Sequence, residues 1–595
     1  MRKMKWIFLA YIAMCLLMAV AMAVSFCLTR DRDPQTYYGT YGGNLKTLDP
    51  AEVGDAGAAE LDGYVFEALY NYAHGSDSNR LIPELADGEP VVSPDGKTMT
   101  IRIKRGIHFY DPEHAVFADG IGPEVTAQDV IYSWKRVCNF HLGVTANYSQ
   151  VFQGHIVGID DWFDYTQSCQ TPELINWDRP VAGLTAIDPF TLQIRLTSLF
   201  PQLPFNLAMI PTAVVSRAAV EKWGSHFKNH PVGTGPYAMT QYLQDQQIVY
   251  SVNPIYRGGP DVPSGTVLSD ADRLPHVKRI QLNCFDESLP PWYLFLQGQL
   301  DASAVPKDTF AQAISGQTGE LTPALKQEGI DLVKYREPQV LYIGFNMADP
   351  VIGRNKPLRQ AMSLAFDRQS YIDLYLNGRG LPANGPIPPG FPTYDANRQA
   401  TYCRYDLAAA REKMREAERL NGAAIPPLHI LFGQTTTVAT QEADFFVTQM
   451  RQIGLTVLAE YKPYGSFLSM LDRKQEQIFS LGWVADYPDE QDFWQLFYGK
   501  NCGAGGLNLV NYQNPAFDAL YERSSTLASS PPRKALYSQM QNIVLEDCPW
   551  IFMLYPVQYQ LYHGWEQKPW LSDYGYGYAQ YTRINYAART AWLNK

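Results

Sequence analysis

The tightest constraint on what this chain can fold into is a change of hydrophobic period between residues 428 and 484. Residues 428–432, LHILF, are an apolar run of strand length. Residues 439–453 carry apolar positions at helical spacing and end at Gly454, a residue type that closes helices in the left-handed conformation. A strand at 455–460, a helix at 467–473 and a third strand at 477–484 follow. Strand, helix, strand, helix, strand in that order predicts a parallel α/β layer, because parallel neighbours need a crossover between them.

The third strand runs into Ala485-Asp486-Tyr487-Pro488. Proline has no N–H to give and holds the preceding residue extended, so the ladder stops there. Asp486 therefore stands where a strand ends, the place where open α/β sheets hold ligands. Two local readings remain open. Asp486 is a turn carboxylate, the commoner use of an Asp just before a Pro. Or, with Trp483 and Tyr487 beside it, it receives a cation.

The remaining elements are shorter. Residues 58–70 predict a helix, with Leu61, Tyr64, Val65, Ala68 and Leu69 at its spacing and Asp55 as its cap. Residues 98–104 alternate Met99, Ile101, Ile103 against Thr100, Arg102, Lys104, the pattern of a half-buried strand. Thr126 caps a helix over 127–137, and Asp406 caps another over 406–420. Helices are also predicted at 214–223, 357–376, 515–522 and 533–545, and an apolar strand region at 550–559. Gly233 and Gly235 do not make a phosphate loop, because Pro236 follows at once; they read as a tight turn. His226 and His230 are four apart, but Pro231 ends any helix there and no third ligand is near.

A chain of 595 residues exceeds what one core supports, so two or more lobes are expected. A net charge of −11, with no basic block after the N-terminus, argues against nucleic acid as a partner. The 38 tyrosines suit a surface that binds peptides or sugars, or a tyrosine-rich core. No HExxH, GxSxG or P-loop pattern occurs, so no catalytic residue, metal or cofactor is assigned. Arg2, Lys3 and Lys5 precede an uncharged apolar run over residues 6–28, which marks export. Three fates are open. Ala21-Met22-Ala23 offers a cleavage site. The run also reaches the roughly 20 residues of a spanning helix, which favours a retained anchor. Lipid on Cys27 is the third, opposed by the bulky Phe26. Six cysteines lie beyond this segment, an even number in an oxidising compartment. Cys138 and Cys169 are the nearest pair and the first disulfide to test.

Several segments, in order, resemble the solute-binding proteins of peptide ABC importers, family 5, which includes the periplasmic oligopeptide- and dipeptide-binding proteins. They are Leu48-Asp49-Pro50 with Val65-Phe66-Glu67-Ala68-Leu69, Val125-Thr126-Ala127-Gln128-Asp129-Val130 with Tyr132-Ser133-Trp134, and Ala186-Ile187-Asp188-Pro189-Phe190-Thr191-Leu192. Val232-Gly233-Thr234-Gly235-Pro236-Tyr237, the helix from Pro357-Leu358-Arg359-Gln360-Ala361 to Arg368, Gly482-Trp483-Val484-Ala485-Asp486-Tyr487 and Asn514-Pro515-Ala516-Phe517-Asp518 complete the set. Each is weak alone; their number and order carry the resemblance.

The resemblance implies an α/β, two-lobed periplasmic-binding-protein fold (type II, cluster C-like) with an extra N-terminal subdomain. Residues 1–34 would be the signal or anchor, 35–68, 186–338 and 549–595 lobe I, 69–185 the extra subdomain, and 339–548 lobe II. The chain would cross between lobes near 337–342 and 547–550. By the same resemblance Asp486 would pair with a peptide α-ammonium. Gly482 and Val484 would bond the peptide main chain, Gly54, Asp55 and Ala56 would face it from lobe I, and Trp483 and Tyr487 would wall the first side-chain pocket. The implied partners are short peptides and the transmembrane subunits of an ABC permease, with the protein a monomer in the periplasm or at the cell surface. The same fold also serves oligosaccharides, nickel chelates and haem. A membrane sensor and a carboxylate-dependent hydrolase are more distant readings. Asp489 and Glu490 follow the motif and would either favour basic ligands or face water. The additions at 109–122, 139–179 and 258–273 have no assigned role.

Overall fold

The alternation from 428 to 484 folds as its periods dictate. In the computed structural model, strand Leu428–Phe432 pairs in parallel with both Val457–Tyr461 and Ile478–Val484. Helices Thr437–Arg451 and Tyr464–Asp472 make the two crossovers. The first of them buries Ala443, Phe446 and Met450 against the sheet residues Leu428, Ile430 and Val457. The structure describes residues 33, 35–43, 45–75, 79–143, 145–263, 265–567 and 574–594. The export or anchor segment at 6–28, with Cys27, lies outside them. Among the described residues no helix is long and apolar enough to cross a membrane.

Strand Gln339–Phe345 pairs antiparallel with the other side of Ile478–Val484, and Trp550–Pro556 and Gly380–Pro382 extend the sheet to six strands. Helices Lys356–Ala365 and Leu407–Asn421 cover it through Leu358, Ala361, Met362, Ala410 and Met414. The other lobe holds a four-stranded sheet of Thr36–Tyr41, Arg279–Cys284, Gln247–Val252 and Tyr237–Leu243. Beside it lies a three-stranded sheet of Ala302–Ala304, Gln558–His563 and Ile330–Tyr335. A further antiparallel sheet joins Val91–Val92, Thr98–Arg102, Thr191–Arg195 and Leu184–Asp188, next to helix Ala127–Val137.

Strand pairing moves two of the expected boundaries. Trp550–Pro556 lies in the six-stranded sheet, so the second crossing falls at Val557 instead of 547–550. The two crossings then stand side by side: Tyr335 is paired with Gln558, whose Nε2 donates to Glu337 Oε2 at 3.2 Å. Thr191–Arg195 pairs with Thr98–Arg102, so the inserted sheet runs past residue 185.

Three local expectations also change. The helix over 58–70 is only Ala56–Asp62, closed by Gly63. The next residues leave the helix because their backbone is used elsewhere: Gly235 N donates to Val65 O at 2.8 Å. A Cβ on Gly233 would come within 2.1 Å of that same oxygen, so the turn at 231–237 needs its glycines for this approach. Cys138 and Cys169 are not bonded; Cys138 is buried and the Cys169 thiol points to Leu174 O. Lys104, expected on the polar side of its strand, is buried, and its Nζ donates to the carbonyls of Pro83, Glu84 and Pro260 at 3.1, 2.7 and 2.6 Å.

That last contact accounts for one end of the 258–273 addition. Arg257 forms a buried two-pronged pair with Glu67 at 2.7 and 2.8 Å and also donates to Glu84 O and Pro260 O. Two cations thus hold one loop carbonyl, and the loop is fastened to the lobe at its root.

Candidate functional site

A cavity of about 930 Å³ opens between the lobes, near the top of the range of about 300–1,000 Å³ usual for small-ligand sites. Strand Ile478–Val484 forms one wall with Ser480, Leu481, Gly482, Trp483 and Val484. Its neighbour Leu428–Phe432 reaches only Ile478 and Phe479. Residues 480–484 therefore have a strand partner on one side alone among the described residues, and the open side borders the cavity. Gly482 is closely approached: a Cβ there would sit 2.7 Å from Leu341 Cδ2 and 3.0 Å from Gln339 Nε2, so those side chains would have to shift.

Asp486 lines the cavity just past this strand. Gln150 Nε2 donates to its Oδ2 at 2.6 Å and to Asp492 Oδ1 at 3.3 Å. Asp492 is fully buried and organises the turn: its Oδ2 accepts from Trp483 Nε1 at 2.9 Å and from Asp486 N at 3.1 Å. Gln495 Nε2 donates to its other oxygen at 3.0 Å. Burial pushes the Asp486 carboxyl up to about 6, against the opposing pull of the Gln150 bond. Asp492 is raised well above the usual carboxylate range, by burial first and by the Asp486 charge second. Two acids this close do not ionise together, so the pair carries about one negative charge near neutrality. No cation is paired with Asp486 among the described residues.

The opposite wall is the loop at 53–57. Its shape follows from the Leu48-Asp49-Pro50 motif. Asp49 forms a buried two-pronged pair with Arg136 of helix Ala127–Val137 and accepts from Ala51 N at 3.1 Å. Asn147 Nδ2 then donates to Ala51 O at 3.2 Å and Val53 O at 2.8 Å. Gly54 and Ala56 are exposed in the cavity wall, and Asp55 uses its side chain to cap helix Ala56–Asp62, accepting from Ala58 N at 2.9 Å.

The cavity thus gathers Gly54, Asp55, Ala56, Gly482, Trp483, Val484 and Asp486. It does not gather Tyr487, which is fully buried, donates its hydroxyl to Gln491 Oε1 and stacks on Phe205 at 6.2 Å between ring centres. The proline after it turns the chain into the core. Asp489 and Glu490 are likewise taken up by the fold. Arg533 grips Asp489 at 2.7 and 2.9 Å, and Thr393 donates its N–H and hydroxyl to Glu490, both at 2.6 Å.

Gln150 and Asp492 were not foreseen from sequence. Gln150 is 336 positions from Asp486 and nothing local marks it. Asp492 had a signal, as the last of four acids between 486 and 492. Among the described residues the only cation in the cavity wall is Lys46, whose Nζ meets Asp472 Oδ2 at 2.5 Å across the two lobes.

The comparisons agree with this architecture. Residues 80–505 match the bacterial extracellular solute-binding proteins, family 5. The oligopeptide-binding protein OppA of Bacillus subtilis (strain 168) is 23% identical over 482 residues, 78% of this chain and 79% of that protein. Heme-binding protein A of Haemophilus influenzae is 23% identical over 526 residues, 86% of each chain. Listeria monocytogenes OppA bound to peptide superposes with a TM-score of 0.74 at 20% identity, over 92% of this chain and 99% of that one, a likeness of fold. With a family match across most of its length and two α/β lobes closing on one cavity, the chain belongs to the family 5 bacterial extracellular solute-binding proteins, the non-catalytic binding components of ABC importers.

Proposed function

We propose that the protein captures short peptides with free amino termini outside the cytoplasm, closes its lobes on them about the crossings at 336–338 and Val557, and delivers them to an ABC permease. Residues 6–28 would hold it at the membrane. The observation that carries the peptide reading is Asp486: a cavity carboxylate without a cation, at the end of a strand whose free edge borders the same cavity. An extended peptide can add to that edge through its main chain, which gives affinity without reading sequence. Its ammonium then meets Asp486, and a desolvated ammonium needs such a fixed opposite charge. Gln150 and the Asp492-held Trp483 border the position the first residue would take.

The test is calorimetry with a tripeptide and its N-acetylated form. The free peptide is expected to bind and the acetylated one to bind far more weakly. Asp486→Asn should cost about 2–5 kcal/mol, roughly thirtyfold or more in Kd. Equal affinity of the two peptides would sink the ammonium role of Asp486.

A further inference from the structure

Among the described residues the cavity wall carries six carboxylates, Asp55, Glu60, Asp286, Glu442, Asp472 and Asp486, and one cation, Lys46, already joined to Asp472. Among the described residues it holds no arginine and no histidine. The cavity marks the ligand site; the acids decide which charge it accepts. Some of them have structural duties. Asp55 caps its helix, and Glu60 accepts from Gly577 N and Tyr578 N at 3.0 and 3.2 Å. Asp486 is the proposed ammonium anchor. Glu442 has no such duty. It projects from helix Thr437–Arg451 into the cavity, on a different element from Asp486, and shares a hydrogen bond with the Tyr371 hydroxyl. Among the described residues no ion pair neutralises it. Lys307, the opposing charge that acts on it, donates its Nζ to Gln441 instead.

We propose that the protein selects cationic peptides, with the α-ammonium at Asp486 and a lysine or arginine side chain at Glu442. This rests on the peptide reading above. A neutral tripeptide places one cation and one carboxylate in a wall of net negative charge. A basic side chain adds an attraction there, and an acidic one adds a repulsion in a partly desolvated space. The porphyrin and sugar ligands open to this fold gain nothing from such a wall. Burial pushes Glu442 up to about 7, with Tyr371 and Lys307 acting against it. Tyr375 is the other titratable group facing it. A bound cation favours the ionised form, so capture near neutral pH should release protons.

The experiment is calorimetry on the full-length protein in detergent at pH about 7.5, with Ala-Lys-Ala, Ala-Ala-Ala and Ala-Glu-Ala. Ala-Lys-Ala should bind at least about tenfold more tightly than Ala-Glu-Ala, with Ala-Ala-Ala between them. Glu442→Gln should shrink that ratio several-fold and Glu442→Asp should keep most of it; thermal melting of each variant separates a local charge effect from a folding defect. If all three peptides bind alike and acetylation still abolishes binding, the peptide reading stands and the charge selection is overturned. If the ratio survives Glu442→Gln in a folded protein, the assignment to Glu442 is overturned. If no peptide binds, both readings fall together.

Discussion

Asp486 is a carboxylate that burial holds at about 6, within reach of ordinary pH. The ionisable groups around it are Asp492, Tyr72, Tyr487 and Tyr576, all raised in the direction that keeps them neutral in that range. A peptide ammonium stays protonated below its pKa of about 8. Of these groups only Asp486 changes charge, so affinity for a peptide without a basic side chain should be full above pH about 6 and fall as pH drops through it, approaching tenfold per unit. The sign follows from the charged form being the one that binds. Calorimetry from pH 5 to 8 checks this; Asp486→Asn should be weak and flat across the range. At this scale the sequence was partly legible. Asp486, Gly482 and Trp483 stood in one motif, whereas Tyr487, Asp489 and Glu490 looked equally available. Their partners Gln491, Arg533 and Thr393 alone distinguish them.

Elements with local causes were read well. Asp55, Thr126 and Asp406 cap the helices assigned to them, because a cap bonds within three residues of itself. The helix over 58–70 failed beyond Gly63 because a distant turn, Gly233 to Gly235, claims the Val65 carbonyl. The same distance hid the anchorage of the 258–273 addition. Glu67→Ala would leave the Arg257 guanidinium buried without its carboxylate, and should destabilise by about 3–5 kcal/mol in denaturant unfolding. Replacing both residues with methionine should cost much less, since the uncompensated charge goes with them. A single-variant loss below about 1 kcal/mol would mean that Glu84 O and Pro260 O suffice to hold the arginine.

Across the whole molecule, polar contacts join the lobes at several points besides Gln150 with Asp486 and Asp492 and Lys307 with Gln441. Lys46 meets Asp472, Thr145 N donates to Gly505 O at 3.1 Å, and Thr437 N donates to Glu287 Oε1 at 3.1 Å. These contacts bridge the two lobes and would be lost if the lobes parted. Lys46 and Asp472 keep about a fifth of their side chains exposed, at 21% and 23%, so their pair is worth at most about 1 kcal/mol. Asp472→Asn should therefore raise Kd no more than about fivefold, chiefly through faster dissociation, and the effect should shrink in high salt. Stopped-flow release of a labelled peptide at two ionic strengths measures it. A change confined to the association rate would argue against a closing contact.

The sequence by itself determined the α/β class, the parallel core from 428 to 484, most helix caps and the family resemblance. All of these depend on periods and neighbours a few residues apart. Only the tertiary structure decided which acids face the cavity. That choice rests on packing beyond the immediate neighbours: Gln150, 336 positions away, beside Asp486, Arg533, 44 positions away, around Asp489, and Glu442 open to the cavity while Asp55 is spent on its helix. A carboxylate's availability depends on the partners it lacks, and those are set by how the chain packs around it.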